Sequence, residues 1–380
     1  MRRVVFLTSA IVFVDAMFFA VLTPLLPHYA REHDLTKAGV GVLAAAYPAG
    51  VLVGAIPSGW VAGRIGVKGT AVGGLTLVAA TSIVFGFAGS IWLLDLARFV
   101  QGIGSAFAWT ASLTWLVAVV SPATRGAMIG RAMSVAIVGA LLGPALGGIA
   151  SLAGTRGTFT VVAAVAVCVA VLAVRTDAPQ ASPEPLGRLR VAFRDRTLAT
   201  ALWLIALPAL LYGTTTVIVP LRLSGFGTGA AAIGSVFVAA AALEAVAAPL
   251  SGRLADRRGR YYALSVSVAA SAVGAAVLPW PEGAALLGLA AVLASAAFAL
   301  AWAPAMALLA DSAQRIGLEL AWAFALMNLA WAPGQALGAA AGGTIAKATS
   351  DTVPFLILSG ICVLTLFALR RLAGPSPRPV

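Results

Sequence analysis

The sequence predicts an all-α integral membrane protein of twelve transmembrane helices, arranged as two six-helix repeats in parallel. Three observations predict it. Of the 380 residues, 61% are apolar and 10% charged, too few charges to cover a soluble protein of that size. The apolar runs last about 20 residues or more, the length a helix needs to cross hydrocarbon, whereas a barrel would alternate polarity over runs of about 10. Finally, the second half of the chain repeats the first. A backbone in lipid must satisfy its own hydrogen bonds, so long apolar runs there are helices.

Breaks in hydropathy place the spans at roughly 4–30, 38–62, 67–89, 91–120, 127–152, 157–175, 197–223, 229–255, 260–280, 282–310, 318–346 and 352–372. Arg2 and Arg3 before an apolar run imitate a secretion signal. That run is too long, contains Asp15 and Pro24, and leads directly into a second span, so it reads as the first helix.

Twelve spans put both termini on one side. With that side in the cytoplasm, 19 of the 25 basic residues lie inside and five outside (Arg31, Lys37, Arg156, Arg222 and Lys347), with Arg98 within a span. The bias follows the positive-inside rule and places the chain in the cell's inner membrane with both termini cytoplasmic. Residues 176–196 form the longest hydrophilic segment, with Pro179, Pro183 and Pro185 before an Arg-rich run. They read as a cytoplasmic linker between an N-terminal half, 1–175, and a C-terminal half, 197–380.

The halves match in register. Pro27 and Pro220, Gly41 and Gly234, and Gly59 and Gly252 are each 193 apart. Further on the offset is 195, for Gly139 and Gly334, Gly143 and Gly338, Gly147 and Gly342, and Gly148 and Gly343. Two repeated six-helix halves are a transporter plan, with the substrate site between them near mid-membrane.

Three segments carry further information. Gly252-Arg253-Leu254-Ala255-Asp256-Arg257-Arg258-Gly259-Arg260 ends span 8, and Gly59-Trp60-Val61-Ala62-Gly63-Arg64-Ile65-Gly66-Val67-Lys68 is its first-half counterpart. Glycine permits the tight turn, and the acid and arginines suit charge-assisted bonds across a gate. Span 4 holds Arg98-Phe99-Val100-Gln101-Gly102-Ile103-Gly104. An arginine within a membrane costs roughly 3 kcal/mol or more and usually faces a cavity or a partner. Span 5 holds Gly139-Ala140-Leu141-Leu142-Gly143-Pro144-Ala145-Leu146-Gly147-Gly148, a small-residue stripe for close helix contact with a kink point at Pro144.

The first segment resembles the G-x-L-A-D-R-x-G-R signature of the major facilitator superfamily. Its first-half copy departs from the pattern, with Gly63 in place of the acid and Val67 in place of a base. The span 4 segment resembles that superfamily's R-x-x-Q-G-x-G signature. The span 5 segment is similar to the G-x-x-x-G-P-x-x-G-G motif of its antiporter branch. Span 1, from Phe13-Val14-Asp15-Ala16-Met17 through Pro24-Leu25-Leu26-Pro27, is similar to the first helix of multidrug and tetracycline-type drug:proton antiporters. The resemblance covers essentially the whole chain. It implies the major facilitator fold and a cytoplasmic gate at Gly59, Arg64, Gly66, Gly252, Asp256, Arg257, Gly259 and Arg260. No acid occurs in span 3 or span 9, where tetracycline exporters carry some, so tetracycline itself is not expected.

Asp15 and Arg98 are ionisable groups inside one half, and the expected coupling site pairs them. Burial and a neighbouring cation act oppositely on a carboxyl's hold on its proton, so such a pair suits proton uptake and release. Glu244, deep in span 8, is a second proton-coupling candidate. Asp311 and Glu319, near the ends of spans 10 and 11, read as interfacial. Gln101, Trp109, Trp302, Asn328 and Gln335 are candidates for lining the substrate cavity, with Trp115, Trp322 and Trp331 either lining it or packing.

Other classes fit poorly. A net charge of +12 suggests nucleic acid, but the bases sit in short gaps between apolar runs without interleaved aromatics. Cys168 and Cys362 lie in separate apolar runs, and His28 and His33 lack ligand partners, so neither a disulfide nor a metal is expected. The sequence has no nucleophile–histidine pair or nucleotide loop, so neither an enzyme nor a cofactor is expected. The sequence reads as a monomeric, proton-coupled secondary exporter of small amphipathic molecules, with lipid, protons and a small-molecule substrate as its partners. The alternatives are a sugar or metabolite exporter and a non-transporting or lipid-flipping relative.

Overall fold

The structure is a computed structural model that describes residues 2–120, 125–178, 195–317 and 320–372. Most of the expected linker, Glu319 and the side chain of Trp322 lie outside the described residues. The helices are α1 (Arg2–Ala20), α2 (Leu26–Glu32), α3 (Lys37–Phe87), α4 (Ile91–Val119), α5 (Arg125–Ala153), α6 (Thr155–Val174), α7 (Arg196–Gly225), α8 (Ala230–Arg258), α9 (Arg260–Val277), α10 (Ala284–Ala299), α11 (Trp302–Arg315), α12 (Leu320–Ala348) and α13 (Thr352–Leu372). Nine segments among the described residues are long and apolar enough to cross a membrane. One of them, α3, is two spans, and with α9 and α12 the chain makes twelve crossings. Large apolar side chains point outward, including Trp92 at 81% exposure and Leu152 at 80%. A lipid surround gives them an apolar solvent.

Two expected spans are interrupted, each for a chemical reason. α1 stops at Ala20, and a 3-10 turn, Thr23–Leu25, leads into α2. Pro24 has no N–H for the carbonyl four residues back, which is Ala20. Span 10 divides into α10 and α11, where Pro304 likewise leaves the carbonyl of Leu300 without its helical donor. The Ser251 hydroxyl of α8 donates to that carbonyl.

The repeat appears in backbone conformation and in packing. Gly66 bends α3 with φ 82° and ψ 163°. Gly259 separates α8 from α9 with φ 87° and ψ 154°. They are 193 residues apart, and a Cβ at either would meet no neighbour, so it is the positive φ that requires glycine there. The α5 stripe lies against the first helix of its half: Gly139 meets Phe13, Gly143 meets Met17 and Ala20, and Gly147 meets Val21 and Pro24. In α12, Gly334 meets Ala206, Gly338 meets Leu210 and Gly342 meets Thr214. Phe13, Met17 and Val21 shifted by 193 are Ala206, Leu210 and Thr214.

The fourth glycine of each stripe crosses to the other half. A Cβ on Gly148 would lie 3.3 Å from Ala231 of α8, and one on Gly343 would press on the Lys37 carbonyl of α3. Gly234 and Gly41 make the reciprocal contacts, against the carbonyls of Pro144 and Ala339. Side chains join the halves at the same end. Lys37 pairs with Asp351 at 2.6 Å, and Arg31 donates to the Ser224 hydroxyl at 2.8 Å. Helix order places this closed end opposite the chain termini.

Candidate functional site

The N-terminal half encloses a polar centre in otherwise apolar surroundings. Arg98 is 2% exposed. Its Nη1 donates to the Phe18 carbonyl at 3.2 Å and to Gln101 Oε1 at 2.7 Å, and its Nη2 donates to the Phe19 carbonyl at 3.2 Å. Those carbonyls lie in the last turn of α1, where a helix leaves its acceptors unpaired and carries partial negative charge. The break that Pro24 imposes therefore creates the acceptors that hold the arginine. Gln101 Nε2 continues the chain to the Ser82 hydroxyl at 2.8 Å.

The expected direct pairing of Asp15 with Arg98 does not form. Tyr47, on α3, lies between them. Its hydroxyl donates to Asp15 Oδ1 at 3.0 Å, and the Arg98 guanidinium lies over its ring, 4.6 Å from the centroid. The Ser105 hydroxyl of α4 also contacts the Asp15 carboxyl. Asp15 itself is half-buried, whereas Tyr47 is 1% exposed. The carboxyl thus has two hydroxyl partners and a cation at one remove, with one side left partly exposed.

Gln101 also departs from expectation. It is 1% exposed, and both ends of its amide are engaged with Arg98 and Ser82. It braces the arginine and has no polar group free for a cavity.

In the C-terminal half, Glu244 is half-buried on α8 beside the Tyr212 hydroxyl of α7. That hydroxyl donates to the Ser295 carbonyl of α10 at 2.8 Å. Asn328 and Gln335 are buried on α12 at 8% and 4% exposure, and the Gln335 carbonyl packs against Gly213 of α7. Trp302 opens α11 and is half-buried. Trp109 is half-buried, with an indole N–H that has no partner among the described residues. Among the described residues, no side-chain hydrogen bond links these cavity candidates to Asp15 or Glu244. Trp331 does reach the centre: its ring meets Phe19 edge-on at 5.3 Å, and Phe19 lies 5.3 Å from the Tyr47 ring.

The gate segment is arranged otherwise than its sequence suggested. Asp256, Arg253 and Arg257 are exposed, and Asp256 makes no ion pair among the described residues. Arg260 pairs with Asp311 of α11 and donates to the Ala307 carbonyl at 2.8 Å. Asp311 therefore answers the motif arginine within the same half. In the first copy, Arg64 lies over the Trp60 ring at 3.9 Å from its centroid, and Lys68 donates to the Val174 carbonyl at 3.2 Å. Asp195 caps the start of α7 through the Leu198 N–H and pairs with Arg315 at 2.9 Å.

The sequence alone does not single out Tyr47, Ser105, Tyr212 or the role of Asp311. Neither tyrosine carries a motif, and an aromatic in an apolar run reads as core.

Comparisons with known proteins agree with this architecture. The family model described as "Major Facilitator Superfamily" matches residues 8–334 and 209–380. A stretch of 142 residues, 36% of the chain, is 30% identical to "MFS-type transporter ppzB" of Metarhizium rileyi but spans only 29% of that relative. "Multidrug resistance protein 1" of Bacillus subtilis is 26% identical over 45% of the chain and 44% of its own length. "Uncharacterized MFS-type transporter YcaD" of Shigella flexneri is 25% identical over 100% of the chain and 98% of its own. The fold superposes on the xylose transporter XylE from E. coli with a TM-score of 0.77 at 13% identity, covering 100% of this chain and 99% of that one.

Proposed function

This chain belongs to the Major Facilitator Superfamily and is a multi-pass membrane transporter, not an enzyme; on that premise we propose that it exports small amphipathic molecules in exchange for protons. The observation that carries the reading is the half-buried Asp15, held by Tyr47 and Ser105 beside a fully buried Arg98. A carboxyl in that setting sits between burial, which favours its neutral form, and donors that favour its charge. Small changes in hydration as the halves rock then load or release a proton.

Export rather than uptake is supported by the span 5 glycine stripe. The similarity to a protein named for multidrug resistance, limited as it is to less than half of each chain, points the same way. Aromatic and amide side chains of the C-terminal half, Trp302, Trp331, Asn328 and Gln335, suit an amphipathic substrate, with apolar contact and a few fixed polar groups. Glu244 beside Tyr212 is a second place for a proton. The termini face the cytoplasm in this reading, so the end joined by Lys37 with Asp351 and Arg31 with Ser224 faces out. The chain works as a monomer, with its two halves as the moving parts and residues 176–196 as the link between them.

The test is a proton-flux assay in proteoliposomes against a panel of amphipathic cations and neutral compounds. Substrate-dependent proton movement opposite to substrate supports the reading. Substrate transport with no proton movement refutes it.

A further inference from the structure

The polar centre of one half and the contact between the halves share a residue. Tyr47 is buried, donates to Asp15 at 3.0 Å and carries Arg98 over its ring. Its ring lies 5.3 Å from Phe19, which meets Trp331 of the other half edge-on at 5.3 Å. Tyr47 and Ala332 also belong to one small buried cluster, packed on by Phe19 and Trp331. An unbroken line of contacts therefore runs from the carboxyl, through one phenol ring, to the opposite half.

We infer that Tyr47 is a positioning residue that ties the charge on Asp15 to closure of the two halves, acting through Phe19 on Trp331. The inference rests on Asp15 being the coupling acid. An ionised carboxylate is the stronger acceptor for the phenol O–H, so it fixes the ring where Phe19 and Trp331 pack. Protonation weakens that bond and frees the ring. Closure of the end joined by Lys37 and Asp351 and loss of the proton thus favour each other, and by linkage each promotes the other equally. In the proposed orientation the proton is then taken up when this end opens outward and given up when it closes, the order an exporter exchanging against protons needs. The titratable and charged groups that face Asp15 among the described residues are Tyr47 from α3 and Arg98 from α4. From α5, the nearby stretch of α1 meets Gly139 and Gly143, and Trp331 of α12 is uncharged.

The test measures distances across the closed end by spin labels at Glu32→Cys and Phe226→Cys, with Cys168→Ser and Cys362→Ala, in nanodiscs over a pH series. In the parent protein the open-to-closed ratio should rise about fivefold on acidification, the difference between a charged and a neutral acceptor. Asp15→Asn should be insensitive to pH. Tyr47→Phe keeps the ring under Arg98 and removes only the hydroxyl, and it should flatten the response while the protein still folds. Trp331→Leu, which leaves Asp15 and Tyr47 intact, should flatten it too and decides the matter if the Tyr47 variant does not fold. A flat Asp15→Asn with a full response in Tyr47→Phe or in Trp331→Leu overturns the inference and leaves Asp15 as the coupling acid. A full response in Asp15→Asn overturns the reading of Asp15 itself.

Discussion

Arg98 donates to the backbone carbonyl of Phe18 at 3.2 Å, so a side chain of the fourth span completes the hydrogen bonding of the first. The arginine is not snorkelling to the surface. It answers a helix end that Pro24 makes, and its second fork nitrogen takes the carbonyl of Phe19. The residue thus has a structural task besides any electrostatic one, and its replacement tests the two separately.

Arg98→Lys keeps the charge but cannot reach two carbonyls and Gln101 in one plane. We expect a stability loss of about 1.5–3 kcal/mol, the range for hydrogen bonds to a charged group, seen as a lower unfolding temperature in detergent. Arg98→Ala should be worse. Wild-type stability for the lysine variant would show that the carbonyls are satisfied some other way.

Gly143→Leu drives a side chain into Met17 and Ala20, where even a Cβ would lie 2.6 Å from the Met17 carbonyl. Helix backbone cannot yield as a flexible side chain does, so transport should fall below a tenth of wild type, a penalty of at least about 1.4 kcal/mol. The comparison is Gly73→Ala, on an exposed face of α3, whose new methyl would meet no neighbour. Equal activity in the two variants would show that close approach of α1 and α5 does not matter.

Arg260 and Asp311 are partly exposed, at 33% and 55% for their side chains. An ion pair in that setting contributes under about 1 kcal/mol to stability. Asp311→Asn should therefore leave the unfolding temperature nearly unchanged while altering turnover at the gate. The exchange Arg260→Asp with Asp311→Arg should restore turnover. If the double variant is no better than either single one, the pair is incidental.

The pH dependence has a sign. In the proposed exchange an acid outside drives export, so the rate should rise as the outer pH falls with the inner pH held constant. Asp15→Asn cannot release a proton, so its export should be independent of the gradient. A slope equal to wild type in Asp15→Asn moves the coupling role to Glu244, and Glu244→Gln is then the variant to measure.

Orientation is open to direct labelling. Single cysteines at Glu32 and Asp177, both exposed, lie at opposite ends of the bundle. In a background without Cys168 and Cys362, an impermeant thiol reagent added to whole cells should modify the first and spare the second. The reverse pattern would turn the whole scheme over.

The sequence made the spans, the glycine stripes and the bends at Gly66 and Gly259 legible, because each is a local property: hydropathy, spacing or a turn's backbone. The interruptions at Ala20 and Leu300 were also written locally, in Pro24 and Pro304, but a proline within an apolar run announces a kink or a break equally well. What stayed hidden depends on which helices meet. Tyr47 carries no motif, and its importance comes from a residue 32 positions away on α1 and another on α4. Asp311 looked like a surface acid until α11 was brought beside the start of α9. Gln101 is a cavity candidate from the sequence, while its depth and its two partners are tertiary facts.

The crossed contacts of the fourth glycines have one more implication. Gly148 touches Ala231 and Gly343 touches Lys37, and their hosts Pro144 and Ala339 receive Gly234 and Gly41 in return. Arg31 and Ser224, which bond across the same end, are themselves 193 positions apart. Each half offers the other nearly the same surface that it receives, which is the self-complementary geometry of a two-fold homodimer fused into one polypeptide. The two seams therefore carry a shared constraint: a bulkier residue in one creates a lopsided hinge unless its counterpart changes too. Drift in either copy is held in check by its mirror.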